Sequence, residues 1–396
     1  MAQYSLKRVL EYLKLKDALQ LLVCILVFPF AVAAKIFIRN FWLVSEDKNE
    51  ARDNGYWFFK YVRQNHPEQK IAYAINKKSP DYKKVKELGK VISYGTISHW
   101  FWYMVADKNI SSQKGSKPNS AVCYLFEVVF KLRKNNRVFL QHGITVNDAK
   151  WLYYENCRFY KFICGAKPEY DYIKERFGYP DKNLVLTGFA RFDNLINVTV
   201  DEDLILIMPS WRDWLGGIEA AGGEKTEFTD SEYFIKWNSF LNSPKLAETL
   251  NKYGKRAIFY PHRNMQKFLS AFKTDCPLIT IADWHEYDVQ DLLKRAALLI
   301  TDYSSVFFDF AYMCKPVIFY QFDEAEFRRR QYNRGFFDYR DTPLGTFVSD
   351  ESSLLASLED KVKDGIKRTD EEIIKKIFVY RDDKNNERIY NAVKTE

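Results

Sequence analysis

The sequence has few cysteines and none of the spacings that cysteines use to hold a metal ion. Its six cysteines include no C-x-x-C pair and no zinc-ligand spacing. Most of them lie among apolar or aromatic residues, where a free cysteine behaves as a small core side chain. This usage favours a reduced, cytosolic compartment.

Recognised motifs for binding nucleic acid or metal ions are missing as well. No D-x-D pair follows a predicted strand, and no set of histidine, cysteine and carboxylate residues has ligand spacing. The chain has no long basic arm, although its net charge is +8. A moderate positive charge favours a phosphorylated substrate or a membrane surface as partner, ahead of nucleic acid. We therefore expect no metal ion and no cofactor.

Length and composition predict a folded protein of two domains. The chain of 396 residues is too long for one ordinary core, and its 47% hydrophobic content argues against disorder. Beyond residue 45, short apolar segments alternate with helical segments, which predicts parallel sheets covered by helices. The predicted strands are Ile71–Ile75, Val91–Tyr94, Arg137–Gln141, Phe159–Cys164, Leu184–Thr187, Asp203–Met208, Arg256–Tyr260, Pro277–Ile281, Ala297–Thr301 and Pro316–Tyr320.

A polar break near residues 195–202 divides these strands into two groups. We therefore predict two doubly wound α/β domains that face one cleft, at 45–197 and 198–375. An N-terminal segment 1–44 precedes them, and a charged C-terminal helix 376–396 follows. Residues 213–229 contain two Gly-Gly pairs, and this pattern is typical of a mobile loop that could act as a lid.

The N-terminal segment is expected to associate with a membrane. Residues 4–16 have the pattern of a basic amphipathic helix, and Ala18–Ala34 is apolar apart from Gln20. A helix of that apolar length reaches about 25 Å, short of a hydrocarbon core of about 30 Å, and Pro29 would kink it. An interfacial or re-entrant anchor is therefore favoured over a single span, a signal peptide or a buried core helix.

The segment Leu298–Phe310 combines an apolar strand with a polar turn. The strand ends at Thr301, and Ser304 and Ser305 then open an apolar helical stretch. Backbone N–H groups at a helix start and two hydroxyl donors form a good environment for phosphate. The alternative is that Asp302 or Ser304 serves only as an N-cap.

Two histidines and two arginines stand at other predicted strand ends. His142 follows Arg137–Gln141 and precedes Gly143, which permits close approach of the backbone. Imidazole titrates near neutrality, so His142 could accept a proton from an attacking hydroxyl, or it could merely satisfy a turn. The other three residues, which suit phosphate oxygens, are Arg212, His262 and Arg263.

Taken together, these strand ends predict a diphosphate site in the cleft. The second domain supplies Arg212, His262, Arg263, Ser304 and Ser305, and His142 faces them from the first domain. Without a metal ion, phosphate charge must be met by arginine, histidine and backbone N–H groups, which are the groups present.

Five motifs, in this order, resemble those of the CDP-glycerol glycerophosphotransferases, bacterial enzymes that prime or polymerise teichoic acids and related capsules. They are Gln141-His-Gly143, Leu186-Thr-Gly-Phe-Ala-Arg-Phe-Asp193, Met208-Pro-Ser-Trp-Arg212, Tyr260-Pro-His262 and Thr301-Asp-Tyr-Ser-Ser305 with Phe308-Asp-Phe310. The likeness covers roughly residues 45–380. It implies a GT-B-like fold of two Rossmann-like domains, with the donor held mainly by the second.

The resemblance also implies roles for single residues. His142 matches the family's catalytic base, and His262 matches its second essential histidine. Arg212, Ser304 and Ser305 match contacts to the donor diphosphate. Asp302 and Asp309 match motif residues with supporting roles. The resemblance also implies an enzyme attached peripherally to the cytoplasmic face of the membrane, and from the residues present we expect it to act without a metal ion.

The predicted reaction is transfer of a polyol phosphate from CDP-glycerol or CDP-ribitol to a hydroxyl of a lipid-linked acceptor, with release of CMP. Two alternatives remain open from the sequence. One is a GT-B glycosyltransferase that uses a nucleotide sugar. The other is a membrane-associated anion-binding protein without catalysis.

Overall fold

The computed structural model describes residues 14–131, 136–215 and 228–394. The chain divides into two compact units. The first unit contains Met1–Ile144, Lys150–Asp193 and Asp382–Glu396, and the second contains Thr145–Ala149 and Asn194–Arg381. The N-terminal apolar helix and the C-terminal helix both belong to the first unit. The amphipathic pattern at 4–16 and the glycine-rich centre of the predicted lid fall largely outside the described residues.

A seven-stranded parallel sheet forms the centre of the first unit. Its strands are β1 (Phe41–Ser45), β2 (Lys70–Ile75), β3 (Lys90–Ser93), β4 (Lys108–Ser111) and β5 (Arg137–Phe139), then, after β6 (Asn147–Asp148) of the second unit, β7 (Lys161–Cys164) and β8 (Leu184–Leu186). The order across the sheet is β3-β2-β1-β4-β5-β7-β8. The order reverses between β1 and β4, and ligands of open α/β sheets bind beyond the carboxyl ends at such a point.

Helices alternate with these strands along the chain. They span Leu15–Phe37, Asn54–Asn65, Tyr82–Leu88, Ile97–Val105, Ser120–Tyr124, Tyr154–Cys157, Lys167–Arg176 and Asn385–Lys394, with a π-helical turn at Leu125–Val129. Polar side chains fix several starts: Asp53 accepts the N–H of Asn54, and Asn119 accepts that of Val122.

The second unit repeats this architecture with six parallel strands. They are β9 (Asp201–Met208), β10 (Arg256–Phe259), β11 (Ile279–Ile281), β12 (Ala296–Thr301), β13 (Val317–Tyr320) and, after β14 (Asn333–Arg334), β15 (Gly345–Val348). The order is β11-β10-β9-β12-β13-β15, and β14 pairs separately with β6. The reversal lies between β9 and β12. Every residue of β12 is buried, as expected for a central parallel strand.

The helices of the second unit complete the α/β alternation. They span Glu232–Leu241, Pro244–Lys252, Val289–Arg295, Phe307–Tyr312, Glu324–Arg330, Glu351–Lys363 and Glu371–Ile377, with a 3-10 helix at Arg263–Ala271. Two doubly wound units confirm the predicted fold class, and all ten predicted strands overlap observed ones. The prediction missed β1, β4 and β15 of the two parallel sheets, and it missed the short paired strands β6 and β14.

The N-terminal helix Leu15–Phe37 runs through Pro29 and packs on the first unit by one narrow face. That face buries Asp17, Cys24, Val27 and Ala31. Three polar contacts hold it there: Asp17 accepts from Asn119 (2.8 Å), Gln20 accepts from the Trp100 indole (2.7 Å), and Lys35 pairs with Asp107 (3.4 Å).

The opposite face of this helix is apolar and exposed. It consists of Leu15, Leu19, Leu22, Ile25, Leu26, Phe28, Phe30, Val32, Ile36 and Phe37. The helix has a mean hydropathy of 2.3 and is long and apolar enough to cross a membrane by length and composition. A soluble core helix would bury most of this surface, so the core-helix alternative does not describe it.

Candidate active site

His142 lies on a turn at the carboxyl edge of the first sheet, and hydrogen bonds from the buried side chain of Gln141 hold this turn in place. The turn begins at Gln141, whose φ of 60° lies in the left-handed region. The buried Gln141 amide donates to the backbone carbonyl of Ile163 (2.7 Å) and to the carboxylate of Glu169 (2.9 Å). These bonds hold a strained residue in place, so that the next side chain, His142, is 67% exposed.

The imidazole of His142 is paired with a carboxylate that the sequence analysis did not single out. Asp53 Oδ2 lies 2.6 Å from His142 Nδ1, and Asp53 also caps the helix Asn54–Asn65. The negative charge of Asp53 raises the pKa of His142 above its ordinary value. Because Nδ1 faces the carboxylate, Nε2 is the nitrogen that can exchange a proton with a ligand.

Arg191, in the motif between residues 186 and 193, completes this arrangement. Its guanidinium donates to Asp53 Oδ1 (3.2 Å) and to the backbone carbonyl of His142 (2.9 Å). Its backbone N–H donates to Asn54 Oδ1 (3.1 Å), and the side chain is 5% exposed. Arg191 therefore ties the carboxylate, the histidine turn and the helix start together.

Asp193 of the same motif serves a different purpose. Its carboxylate accepts the backbone N–H groups of Asn385 (2.8 Å) and Asn386 (3.0 Å), which begin the C-terminal helix. Gly188, with a φ of 80°, leaves no room for a Cβ because Asn385 Oδ1 would lie 2.0 Å away. One sequence motif thus supports the histidine site and docks the C-terminal helix.

Replacing Asp53 by asparagine is expected to lower the pKa of His142 toward the ordinary value of about 6.5. The amide keeps the shape of the side chain but removes the charge that favours imidazolium. A pH titration of the His142 ring signals by NMR measures this shift.

The matched control for this titration is Asp283→Asn. Asp283 lies 2.6 Å from Nδ1 of His285 in the second unit, and the two imidazoles are similarly exposed. This variant removes the same charge from an imidazole of the second unit and should leave the pKa of His142 unchanged. An unchanged His142 pKa in Asp53→Asn would contradict the assigned electrostatics.

In the second unit, Asp302 organises the reversal point between β9 and β12. Asp302 Oδ1 accepts the backbone N–H (2.8 Å) and the hydroxyl (2.6 Å) of Ser210 and the N–H of Tyr303 (2.7 Å). Its own backbone carbonyl accepts from Gln321 (2.8 Å). The side chain is fully buried, so it joins the two strand ends and does not face a ligand.

Arg212 lies in the same buried network. Its guanidinium contacts Asp302 Oδ2 at 2.9 Å and both oxygens of Asp323 at 2.7 and 3.0 Å. The aromatic rings of Tyr303, Tyr233 and Phe327 surround it. Its side chain is 0% exposed, so it has no surface for a diphosphate. The guanidinium instead links the two carboxylates that follow β12 and β13.

Ser304 and Ser305 follow Asp302 and are half-buried. The helix after them begins at Phe307 and spans six residues, with no side-chain cap at its start. The interpretation of Asp302 or Ser304 as its N-cap is therefore wrong. So short a helix also has a weak macrodipole, which leaves the two hydroxyls as the main donors at this strand end.

His262 and Arg263 stand at the end of β10, beside β9. His262 is half-buried, its Nδ1 accepts the N–H of Asn264 (3.2 Å), and its ring stacks on Trp211 with centroids 6.1 Å apart. Arg263 is exposed and lies 3.3 Å over the ring of Trp284. β10 and β12 flank β9, and a strand spacing of about 4.8 Å places the ends of these two strands roughly 10 Å apart.

Gly143 and Asp309 are the remaining predicted site residues. Gly143 is half-buried next to His142, and Asp309 is 1% exposed on the helix Phe307–Tyr312. Within the described ranges, no three histidine, cysteine or carboxylate side chains are grouped to hold a metal ion. Three residues of these networks were not predicted from the sequence: Asp53, Arg191 and Asp323. Asp53 could have been suspected as a helix N-cap, because it precedes the aromatic residues 56–59.

Residues 28–395 match the family model described as CDP-Glycerol:Poly(glycerophosphate) glycerophosphotransferase. The chain is 32% identical over 361 residues to the minor teichoic acid biosynthesis protein GgaB of Bacillus subtilis (strain 168), covering 89% of this chain and 39% of that protein. It is 23% identical over 358 residues to the teichoic acid poly(glycerol phosphate) polymerase of the same strain, covering 83% and 45%. The chain thus spans less than half the length of these relatives.

A solved structure shares the fold. It is a variant of the wall teichoic acid polymerase TagF soaked with CDPG, with a TM-score of 0.63 and 17% identity. The match covers 91% of this chain and 89% of that chain. At this level of identity the likeness concerns the arrangement of strands and helices, and it agrees with the GT-B-like expectation.

Proposed function

The chain belongs to the CDP-glycerol:poly(glycerophosphate) glycerophosphotransferase family, and from that premise we propose that it transfers a polyol phosphate from a CDP-polyol to a hydroxyl of a membrane-held acceptor. Glycerol phosphate is the favoured group, and ribitol phosphate is the alternative. The observation that carries the proposal is the Asp53–His142 pair, an exposed imidazole oriented by a carboxylate at the carboxyl edge of a parallel sheet.

The proposed step is an in-line displacement at the distal phosphorus of the donor. His142 Nε2 accepts the proton of the acceptor hydroxyl while its oxygen forms a bond to that phosphorus. The bond from the phosphorus to the bridging oxygen breaks, and CMP leaves with that oxygen. Asp53 stabilises the imidazolium that forms, and Arg191 holds Asp53 in place.

The second unit is proposed to bind the donor through groups that reach its surface. Ser304 and Ser305 donate hydroxyl hydrogen bonds to the diphosphate, and His262 and Arg263 supply positive charge from the neighbouring strand end. Arg212 acts through Asp302 and Asp323, which fix the ends of β9 and β12. Phosphoryl transfer depends mainly on positioning and charge stabilisation, which suits this division of roles.

The test of the proposal is product analysis with purified protein and a lipid-linked acceptor. CDP-glycerol, CDP-ribitol and UDP-sugars are supplied in parallel, and the released nucleotide is identified. Acceptor-dependent CMP from a CDP-polyol is the expected result. Release of a nucleoside diphosphate from a UDP-sugar, with no CMP, would assign the chain to the glycosyltransferases.

The protein is further proposed to attach to the cytoplasmic face of the membrane through the helix Leu15–Phe37. Its apolar face is exposed, and Lys14, Lys16 and Arg39 near its ends suit anionic lipid headgroups. The three polar contacts to the first unit hold the helix along the protein, which favours a position in the plane of the bilayer over a span.

The double variant Leu22→Glu with Ile25→Glu is expected to weaken this attachment, because both side chains are exposed on the apolar face (52% and 56%). Loss of the apolar burial of two such side chains corresponds to at least about a 10-fold lower partition onto vesicles. Sedimentation with phosphatidylglycerol vesicles measures it. The control is Ile235→Glu with Val379→Glu, which are similarly exposed in the second unit. Equal binding by both double variants would refute the anchor.

A further inference from the structure

Glu46 is a buried carboxylate beneath the Asp53–His142 pair. It follows β1 and is 1% exposed. Its Oε1 accepts the backbone N–H of Tyr56 (2.8 Å) and the hydroxyl of Ser112 (3.0 Å). Its Oε2 accepts the backbone N–H groups of Arg52 (3.0 Å) and Asp53 (3.3 Å). Four donors from two segments of the chain thus converge on one side chain.

The first turn of the helix Asn54–Asn65 packs directly on this carboxylate. A Cβ at Gly55 would lie 2.9 Å from both Cγ and Oε1 of Glu46, closer than real contacts allow. Hydrogen bonds and close packing with Glu46 therefore fix the position of the backbone of residues 52–56. Asp53 lies inside this segment, and its Oδ2 is the atom that meets His142.

Electrostatic attraction does not account for the presence of a glutamate at position 46. Burial, and next the negative charge of Asp53, raise the pKa of the Glu46 carboxyl to about 7. Two neighbouring carboxylates repel each other, so their proximity does not stabilise the unit electrostatically. What the arrangement provides is a fixed backbone under Asp53, because a carboxylate can accept all four hydrogen bonds at once.

We propose that Glu46 is a positioning residue for His142, which acts by holding residues 52–56 so that Asp53 meets Nδ1 of the imidazole. This inference rests on the proposed function, in which His142 is the base. Glutamine at position 46 would present its NH₂ group to backbone N–H or hydroxyl donors and break part of this network. Asp53 would then lose its place, and His142 would lose its partner.

The experiment measures kcat for CMP release from a CDP-polyol and the pKa of His142 in Glu46→Gln. We expect kcat to fall roughly 10- to 100-fold, the scale of a displaced catalytic group. The His142 pKa should fall as in Asp53→Asn, partly because the charge of Glu46 itself also raises it, whereas the neutral change Ser112→Ala isolates the effect of position. The double variant Glu46→Gln/Asp53→Asn should lose little more activity than Asp53→Asn alone, because both changes remove the same interaction.

The control is Thr96→Ala, which removes the cap of the helix Ile97–Val105 in the same unit. It should lower the thermal melting midpoint by about 2–4 °C and leave the His142 pKa unchanged. If Glu46→Gln does not fold, Ser112→Ala removes one of the four bonds and should shift the pKa in the same direction by less. The inference is overturned if the Glu46→Gln protein folds and has the wild-type kcat and the wild-type His142 pKa. If Ser112→Ala is used instead, the same result for that variant overturns it. Absence of CMP release by the wild type would instead refute the proposed function.

Discussion

His142→Ala is expected to lower kcat for CMP release by about 100-fold or more, the scale of a lost general base. The imidazole is the one proton acceptor that the account assigns to the acceptor hydroxyl. Its side chain is 67% exposed, so truncation should leave the stability of the first unit nearly unchanged. Steady-state kinetics at saturating donor, together with a thermal melt, separate loss of chemistry from loss of fold.

The matched control is His285→Ala. His285 is 65% exposed and also pairs with an aspartate at 2.6 Å, but in the second unit. The kcat of the His285→Ala variant should remain close to the wild-type value. Partial recovery of His142→Ala by added imidazole would support the base role further. Near-wild-type turnover in His142→Ala would remove His142 from the mechanism and leave the anion-binding alternative standing.

Arg212→Met is expected to destabilise the second unit by about 3–5 kcal/mol. Methionine matches much of the volume of arginine but leaves the carboxylates of Asp302 and Asp323 buried without their cation. An uncompensated buried charge costs far more than the pair gains. Denaturant-induced unfolding, followed by a probe in the second unit, measures the loss.

Arg256→Met is the control for this prediction. Arg256 pairs with Asp201 at the surface of the same unit, with 44% of its side chain exposed. Removing a surface ion pair should cost at most about 1 kcal/mol. If Arg212→Met unfolds no more easily than Arg256→Met, Arg212 is not the structural link between the strand ends. The original expectation of a direct donor contact would then return.

Periodicity along the chain was enough to predict the two α/β units. Buried parallel strands are continuous apolar segments, and ten of them were placed correctly for that reason. The missed strands lack this signal. Phe41–Ser45 directly follows the apolar N-terminal helix, so it merged with that segment, whereas Lys108–Ser111 is polar at three of its four positions. These two strands frame the reversal point of the first sheet.

The histidine and its carboxylate illustrate what a single sequence does not contain. His142 was recognisable because it follows a strand and precedes a glycine. Asp53 lies 89 positions earlier in the polar stretch between Ser45 and Gly55, which is typical of a loop. Only the fold brings β1 and β5 into one sheet, and only then do these residues meet.

Burial explains the opposite error at Arg212. An arginine after a strand in a polar turn is a natural phosphate ligand, and its sequence neighbours gave no sign of enclosure. Its carboxylate partners are distant in sequence, because Asp302 directly follows β12 and Asp323 follows β13. The sequence identified the strand end correctly but could not tell a surface guanidinium from a buried one.

The most direct test of the central claim is the fate of the distal phosphate. CDP-glycerol labelled at that phosphorus is incubated with the protein and a lipid-linked acceptor. The account predicts that the label appears in the acceptor and that the released nucleotide is unlabelled CMP. Label remaining in a released nucleoside diphosphate would mean that the donor breaks on the other side of the phosphorus, and would contradict polyol phosphate transfer.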